Sequence, residues 1–147
     1  VWNKLGTFNE ELIYNLVSHD VATALDLFGK PTSIKTLENS GMVTDSDIIY
    51  FRLGFKNRCF CTIYINRVSN FKNKTVTLAM ANNVYLWDNG QLFKFDKKSN
   101  LFKLIFKSNK TPLEVECAAF INCLQKNKKP LTSGEFGLEV VKVLSGI

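Results

Sequence analysis

The sequence predicts an α+β fold, a mainly antiparallel, open-faced β-sheet with helices packed on one face. Three observations carry that expectation. From Ile34 to Phe106 apolar and polar residues alternate in short runs separated by tight-turn signals, the pattern of half-buried strands joined by hairpins. Helix start and stop signals cluster near the two ends of the chain. Twelve Phe against two Trp and four Tyr supply bulky rings for a sheet core. Connections this short favour antiparallel pairing, because a parallel neighbour needs a crossover of a dozen or more residues.

Residues 1–10 read as an extended lead-in, with a turn around Gly6, Thr7 and Asn9. A first helix is expected from Ser18 to Phe28. Ser18 is a suitable N-cap, Asp20 suits the positive end of the helix dipole, and Val21, Ala24, Leu25 and Phe28 recur at helical spacing before Gly29 and Pro31 end the helix. Strands then follow over Ile34 to Val43 and Ile48 to Phe55, separated by a turn at Asp45-Ser-Asp47 and continued through Lys56-Asn57 into Arg58 to Arg67. In the last of these, Cys59, Cys61, Ile63 and Ile65 lie on one face and Phe60, Thr62 and Tyr64 on the other, so both faces are largely apolar.

Thr75 to Met80 and Val84 to Trp87 form the next pair around Ala81-Asn82-Asn83. Asp88-Asn89-Gly90 turns into Leu92 to Phe95, and a further strand runs from Leu101 to Phe106, giving about six or seven strands in all. The end of the chain is helical. Thr111-Pro112-Leu113-Glu114 combines an N-cap, a proline at the first helical position and a capping-box glutamate, and it precedes Cys117, Phe120, Ile121 and Leu124 on what should be a buried face. After Pro130, Thr132 and Glu135 form a second capping box ahead of Val140, Val141 and Leu144.

A chain of 147 residues that is 46% hydrophobic can bury one real core, so a single domain over 1–147 is expected. The net charge of +6 favours anionic partners or a lysine-rich soluble surface. No apolar run reaches the ~20 residues needed to span a bilayer, so no membrane partner is expected, and VWNKLGTF does not show the charged, apolar and small-residue order of a signal peptide. The bases and aromatics around Phe55 to Arg58 and Phe71 to Lys74 alternate as core residues do, and no helix presents a basic face. Nucleic acid is therefore not an expected partner. Cys59, Cys61, Cys117 and Cys123 lack metal-ligand spacing and read as buried free thiols of a reducing compartment, with a cytoplasmic location. A sheet with two apolar faces and few helices leaves one face to be covered by a second copy, so a homo-oligomer is expected.

The only histidine, His19, falls at the first position of the first expected helix, where the dipole disfavours the imidazolium and a neutral ring is free to accept a proton. If the helical path extends backward, Asn15 stands four residues earlier on the same face. A helix-start histidine with a purely structural role fits the same pattern.

The segment Asn15 to Pro31, N-x-x-x-H-D-V-x-x-x-L-x-x-x-G-K-P, resembles the opening of the C-terminal domain of the Gfo/Idh/MocA oxidoreductases, whose usual pattern is D-x-x-x-H-D-I. Thr75 to Asp88, TVTLAMANNVYLWD, resembles that family's strand-turn-strand ending in an aromatic and Asp. Pro112 to Leu144 resembles its closing pair of helices. The resemblance implies a substrate-binding and oligomerising domain of an NAD- or NADP-dependent oxidoreductase acting on the CH-OH group of a sugar, cyclitol or nucleotide sugar. It further implies a nucleotide-binding domain preceding residue 1, which agrees with the lack of a G-x-G-x-x-G in this chain. By itself the chain is not expected to be active. Removing hydride from carbon requires that a base take the hydroxyl proton, and the resemblance assigns His19 to the active site, with Asn15 orienting its ring and an upstream lysine as the other proton-handling group. Asn15 stands where the family usually has Asp and lends no charge. A non-catalytic ligand- or protein-binding module of the same fold is the alternative.

Overall fold

The computed structural model describes residues 11–69 and 72–147, apart from the side chain of Asn57. The expected lead-in over residues 1–10 and Phe71 lie outside the described residues. The chain divides into two compact units, one formed by residues before 72 together with Leu131–Ile147, the other by Lys72–Pro130.

In the first unit, a helical path runs through Ile13–Val17 as a π-helical turn and continues as α1, Ser18–Phe28. Strands β1 (Ser33–Ser40), β2 (Ile48–Gly54) and β3 (Phe60–Asn66) form an antiparallel sheet in that order, and α3, Gly134–Leu144, closes the unit. The short connections predicted this pairing. The register places Ile49, Phe51 and Leu53 of β2 opposite Ile65, Ile63 and Cys61 of β3, so one pleat face is continuous and apolar. Against it pack Leu12, Val17, Val21, Ala24 and Leu25 from the first helical path and Val140, Val143 and Leu144 from α3. Phe51, Ile49, Leu53, Val17 and Val21 are wholly buried, each contributing about 1.5–3 kcal/mol of transfer free energy. The opposite face carries Tyr50, Arg52, Phe60, Thr62 and Tyr64, with Tyr50 and Tyr64 edge to face at 6.2 Å and Arg52 4.8 Å above the Phe60 ring. β1 is interrupted by a bulge between Thr36 and Glu38 and ends at Ser40, short of the Val43 that its sequence allows.

The reason for that early end lies in the next turn. Asp47 is fully buried, and its Oδ2 accepts from the amides of Met42 (2.7 Å), Val43 (2.5 Å) and Thr44 (2.9 Å). Oδ1 accepts from Thr44 Oγ1 at 2.7 Å and from Arg67 Nε at 2.8 Å. Arg67 Nη2 also donates to Thr44 Oγ1 and to the Ser46 carbonyl. Residues 41–44 are thereby coiled around a carboxylate instead of extending β1. A Cβ on Gly41 would stand 2.0 Å from the Thr44 carbonyl oxygen, so only glycine fits the turn. Burial alone would push the Asp47 carboxyl up, but the Thr44, Val43 and Met42 amides and the Thr44 hydroxyl outweigh it and hold the group well below the usual carboxylate range.

The second unit is an antiparallel meander of β4 (Thr75–Ala79), β5 (Val84–Asp88), β6 (Gln91–Asp96) and β7 (Leu101–Lys107), followed by α2, Pro112–Gln125. The β5–β6 turn has Asn89 and Gly90 both at positive φ, as Asp-Asn-Gly predicts. α2 starts on the expected capping box. Thr111 Oγ1 accepts from the Glu114 amide, and the Glu114 carboxylate accepts from the Thr111 amide at 2.7 Å.

The α+β class with antiparallel sheets and open faces therefore holds, and four details change. The strands form two ladders of three and four instead of one run. Phe120, expected on a buried face, is 58% exposed, and no residue of α2 is buried. The face is apolar, but nothing in the described residues covers it to the point of burial. α3 is capped by Ser133, which accepts from the Phe136 amide, and not by a box at Thr132. Of the four free cysteines, Cys117 is exposed and the other three are only partly buried.

Candidate functional site

Asn15 and His19 share the first helical path, and its local conformation decides what they can do. Ser18 was the expected cap. It is instead inside the path: Leu12 and Val17 already have right-handed helical backbone, no side chain caps α1, and the Asn15 amide donates to the Glu11 carbonyl at 3.1 Å. His19 is accordingly more than one turn inside a continuous helix. The helix N-terminal dipole therefore does not bear on His19 as expected, because orphan amides and their partial charge are confined to the first turn. The conditional placement of Asn15 is met, since the path does extend backward and puts Asn15 about one turn before His19.

The packing face fixes which way this segment looks. Leu12, Val17, Val21, Ala24 and Leu25 are buried against the sheet, leaving Leu16, His19, Thr23 and Leu27 as an exposed stripe at spacings of three and four. Asn15 is half-buried at its edge. Leu16, one turn before His19, is exposed beside it, and Leu27 is exposed further along the same stripe, so the histidine lies on a partly apolar exposed face. Thr23 Oγ1 donates to the His19 carbonyl at 2.9 Å, a local back-bond that leaves the imidazole outside the helix's own hydrogen bonding. The π-helical turn at Ile13–Val17 was not legible in the sequence. Such turns recur at functional sites because they rotate the residues before them against those after.

Behind the stripe, Cys61 of β3 faces the same helix. Its thiol is pushed up by burial first, then by Cys59 and by the Asp20 carboxylate, which disfavours the thiolate, and the residue packs against the core of the first unit. Among the described residues no three of His, Cys, Asp and Glu converge as a metal site. All described strands pair antiparallel, and none leads through a glycine-rich turn into a helix N-terminus, so these residues form no pyrophosphate cradle for a dinucleotide. The Asp47–Arg67 pair, which sequence reading reduced to a turn signal, is structural; the only hint in the sequence is a carboxylate just before an apolar strand.

No protein-family model matches the chain, and no curated protein matches it. Solved structures do. UDP-N-acetylglucosamine 3-dehydrogenase GnnA from Acidithiobacillus ferrooxidans superposes with a TM-score of 0.85 at 17% identity, covering 95% of this chain and 47% of that one. A levoglucosan dehydrogenase in complex with NADH gives 0.76 at 12% identity, over 90% and 46%. An oxidoreductase from Agrobacterium radiobacter in complex with NAD+, L-tartaric acid and magnesium gives 0.73 at 11%, over 97% and 47%. The chain thus spans about half the length of the structures it matches. At these identities the likeness is one of fold, and at that level the resemblance to the Gfo/Idh/MocA oxidoreductases is met.

Proposed function

We propose that this chain is the substrate-binding and oligomerising domain of an NAD- or NADP-dependent oxidoreductase acting on the CH-OH group of a sugar, cyclitol or nucleotide sugar, with the dinucleotide held by a further domain. The observation that carries the reading is the exposed His19, set with Asn15 on one helical path in a fold shared with dehydrogenases. A single domain over 1–147 joined to a nucleotide-binding domain accounts for the half-length match. Because the described residues offer no dinucleotide cradle, the chain contributes to the proton side of the reaction and to substrate placement. An exposed imidazole next to Leu16 on the same helix face can accept a hydrogen bond, then a proton, from a substrate hydroxyl. Asn15 orients the ring through its amide without adding charge.

The open sheet faces support self-association. Phe60 and Tyr64 on one sheet, and Phe102, Leu104 and Phe106 on the other, are all exposed. No described helix is long and apolar enough to cross a membrane, and four free thiols fit a reducing compartment such as the cytoplasm.

The test is His19→Ala in the full-length protein. Turnover should fall by ~10²–10⁴ with cofactor affinity unchanged, because the dinucleotide binds elsewhere. A raised KM with turnover intact makes His19 a positioning group. Unchanged kinetics refutes its role at the active site and favours the non-catalytic binding module, a reading that the uncharged Asn15 also fits.

A further inference from the structure

The second unit breaks a rule of sheet pairing at one place. Lys94 of β6 and Lys103 of β7 are direct cross-strand partners, and like charges placed opposite one another on a sheet are destabilising. Among the described residues Asp96 is the one carboxylate lining the same groove, and it is already committed. It pairs with Lys103, accepts from the Lys98 amide at 3.0 Å and from Ser99 Oγ at 3.0 Å, and is held down to about 2, chiefly by Lys103. Lys94 lies 5.8 Å from the Tyr85 ring, its neighbour on β5, and Lys97 and Lys98 project from the β6–β7 turn. These groups surround an open groove of about 420 Å³, walled on its other side by Asn82 and Asn83 of the β4–β5 turn and bordered by Ile105. Four ammonium groups facing one depression against a single carboxylate leave an excess of three positive charges there.

We propose that this groove binds a phosphorylated small molecule, the ammonium groups of Lys94, Lys97 and Lys98 taking the phosphate oxygens and the side-chain amides of Asn82 and Asn83 its polar substituents. A bound dianion offsets the excess positive charge around the groove, which supplies the preference for charge over neutral ligands. Lysine suits this role as a compact point charge with rotatable donors, and the partly apolar border formed by Ile105 gives a ring attached to the phosphate a surface to lie on. Both turns are short hairpin connections within one meander, so the site is built without any element outside the second unit. The inference stands independently of the oxidoreductase reading, since none of its residues belongs to the His19 helix.

Calorimetric titration of the 147-residue chain tests it, with inorganic pyrophosphate and uridine diphosphate as separate probes and sulfate as a reference anion. Pyrophosphate should bind with a Kd near or below ~1 mM and more tightly than sulfate. Tighter binding of uridine diphosphate than of pyrophosphate assigns the ligand a ring; equal binding assigns a free or terminal diphosphate. Lys94→Gln/Lys98→Gln should weaken binding at least ~10-fold, and so should the wholly turn-located Lys97→Gln/Lys98→Gln, whose fold is checked by an unchanged circular dichroism spectrum. Lys126→Gln/Lys128→Gln, at the end of α2, should leave it unaltered. Undetectable binding of both diphosphates, equal losses in the Lys126/Lys128 variant, or tighter binding of a single-stranded oligonucleotide than of either diphosphate would overturn the proposal.

Discussion

Replacing Asp47 by Asn changes one atom type at a position with no solvent exposure, so its effect isolates charge from shape. The carboxylate receives three backbone amides, the Thr44 hydroxyl and Arg67, whose side chain is 8% exposed. Asn keeps one acceptor oxygen and turns an amide nitrogen toward donors that it cannot satisfy, while removing the negative charge that faces the buried Arg67 at 2.8 Å. Breaking a buried pair from one side costs about 3–5 kcal/mol, and a domain of this size has roughly 5–15 kcal/mol in total. Asp47→Asn should therefore remove a large part of the stability of the first unit, read as a shift in the urea midpoint followed by circular dichroism. The pH dependence has a definite sign. A carboxyl held below its unfolded value contributes stability that is complete above that unfolded value, near 4, and is lost as pH falls toward the folded one. Wild-type stability should accordingly decline below about pH 5, and the Asn variant should decline less steeply over the same window. Asp47→Leu combined with Arg67→Met should cost less than the sum of the two single changes, since removing both partners leaves no uncompensated charge. A loss under about 1 kcal/mol for Asp47→Asn, with the acid limb unchanged, would refute the account of Asp47 as the node that organises this turn.

The remaining expectations concern packing and the candidate site. Phe51→Ala, at a fully buried position between the sheet and the helices, should destabilise the first unit by about 3–5 kcal/mol, whereas Phe120→Ala on the exposed α2 should stay within about 0.5 kcal/mol in this chain; denaturant unfolding compares the two. Gly41→Ala should cost about 1–3 kcal/mol, because its Cβ meets backbone oxygen and the turn cannot yield without releasing the Asp47 amides; the urea midpoint again reads it. His19→Ala should lower turnover of the full-length protein without altering its stability by more than about 0.5 kcal/mol, since the ring is exposed; paired kinetics and unfolding separate the two effects.

The sequence by itself determined the local elements of this protein, because their causes are local. Alternation at Ile49, Phe51 and Leu53 made β2 a strand with one buried face, Asp88-Asn89-Gly90 made a hairpin, Gly29 ended α1 at positive φ, and Thr111 with Glu114 started α2. It also set Asn15 about one turn before His19 on one helical path, since four residues make roughly a turn of helix whatever surrounds them. Tertiary structure decided what depends on partners distant in the chain. Asp47 and Arg67 are twenty residues apart, and only the closing of the three-stranded ladder brings them together and turns a stretch that reads as strand into a coil around a carboxylate. The same holds for Lys94 and Lys103, which become a pair only through the β6–β7 register. Burial is the clearest case. Val140 and Phe120 occupy equivalent apolar positions on two amphipathic helices, yet Val140 meets the sheet and is buried while Phe120 stays exposed. Periodicity fixes which face of a helix is apolar, but whether that face is covered is a property of what lies opposite it.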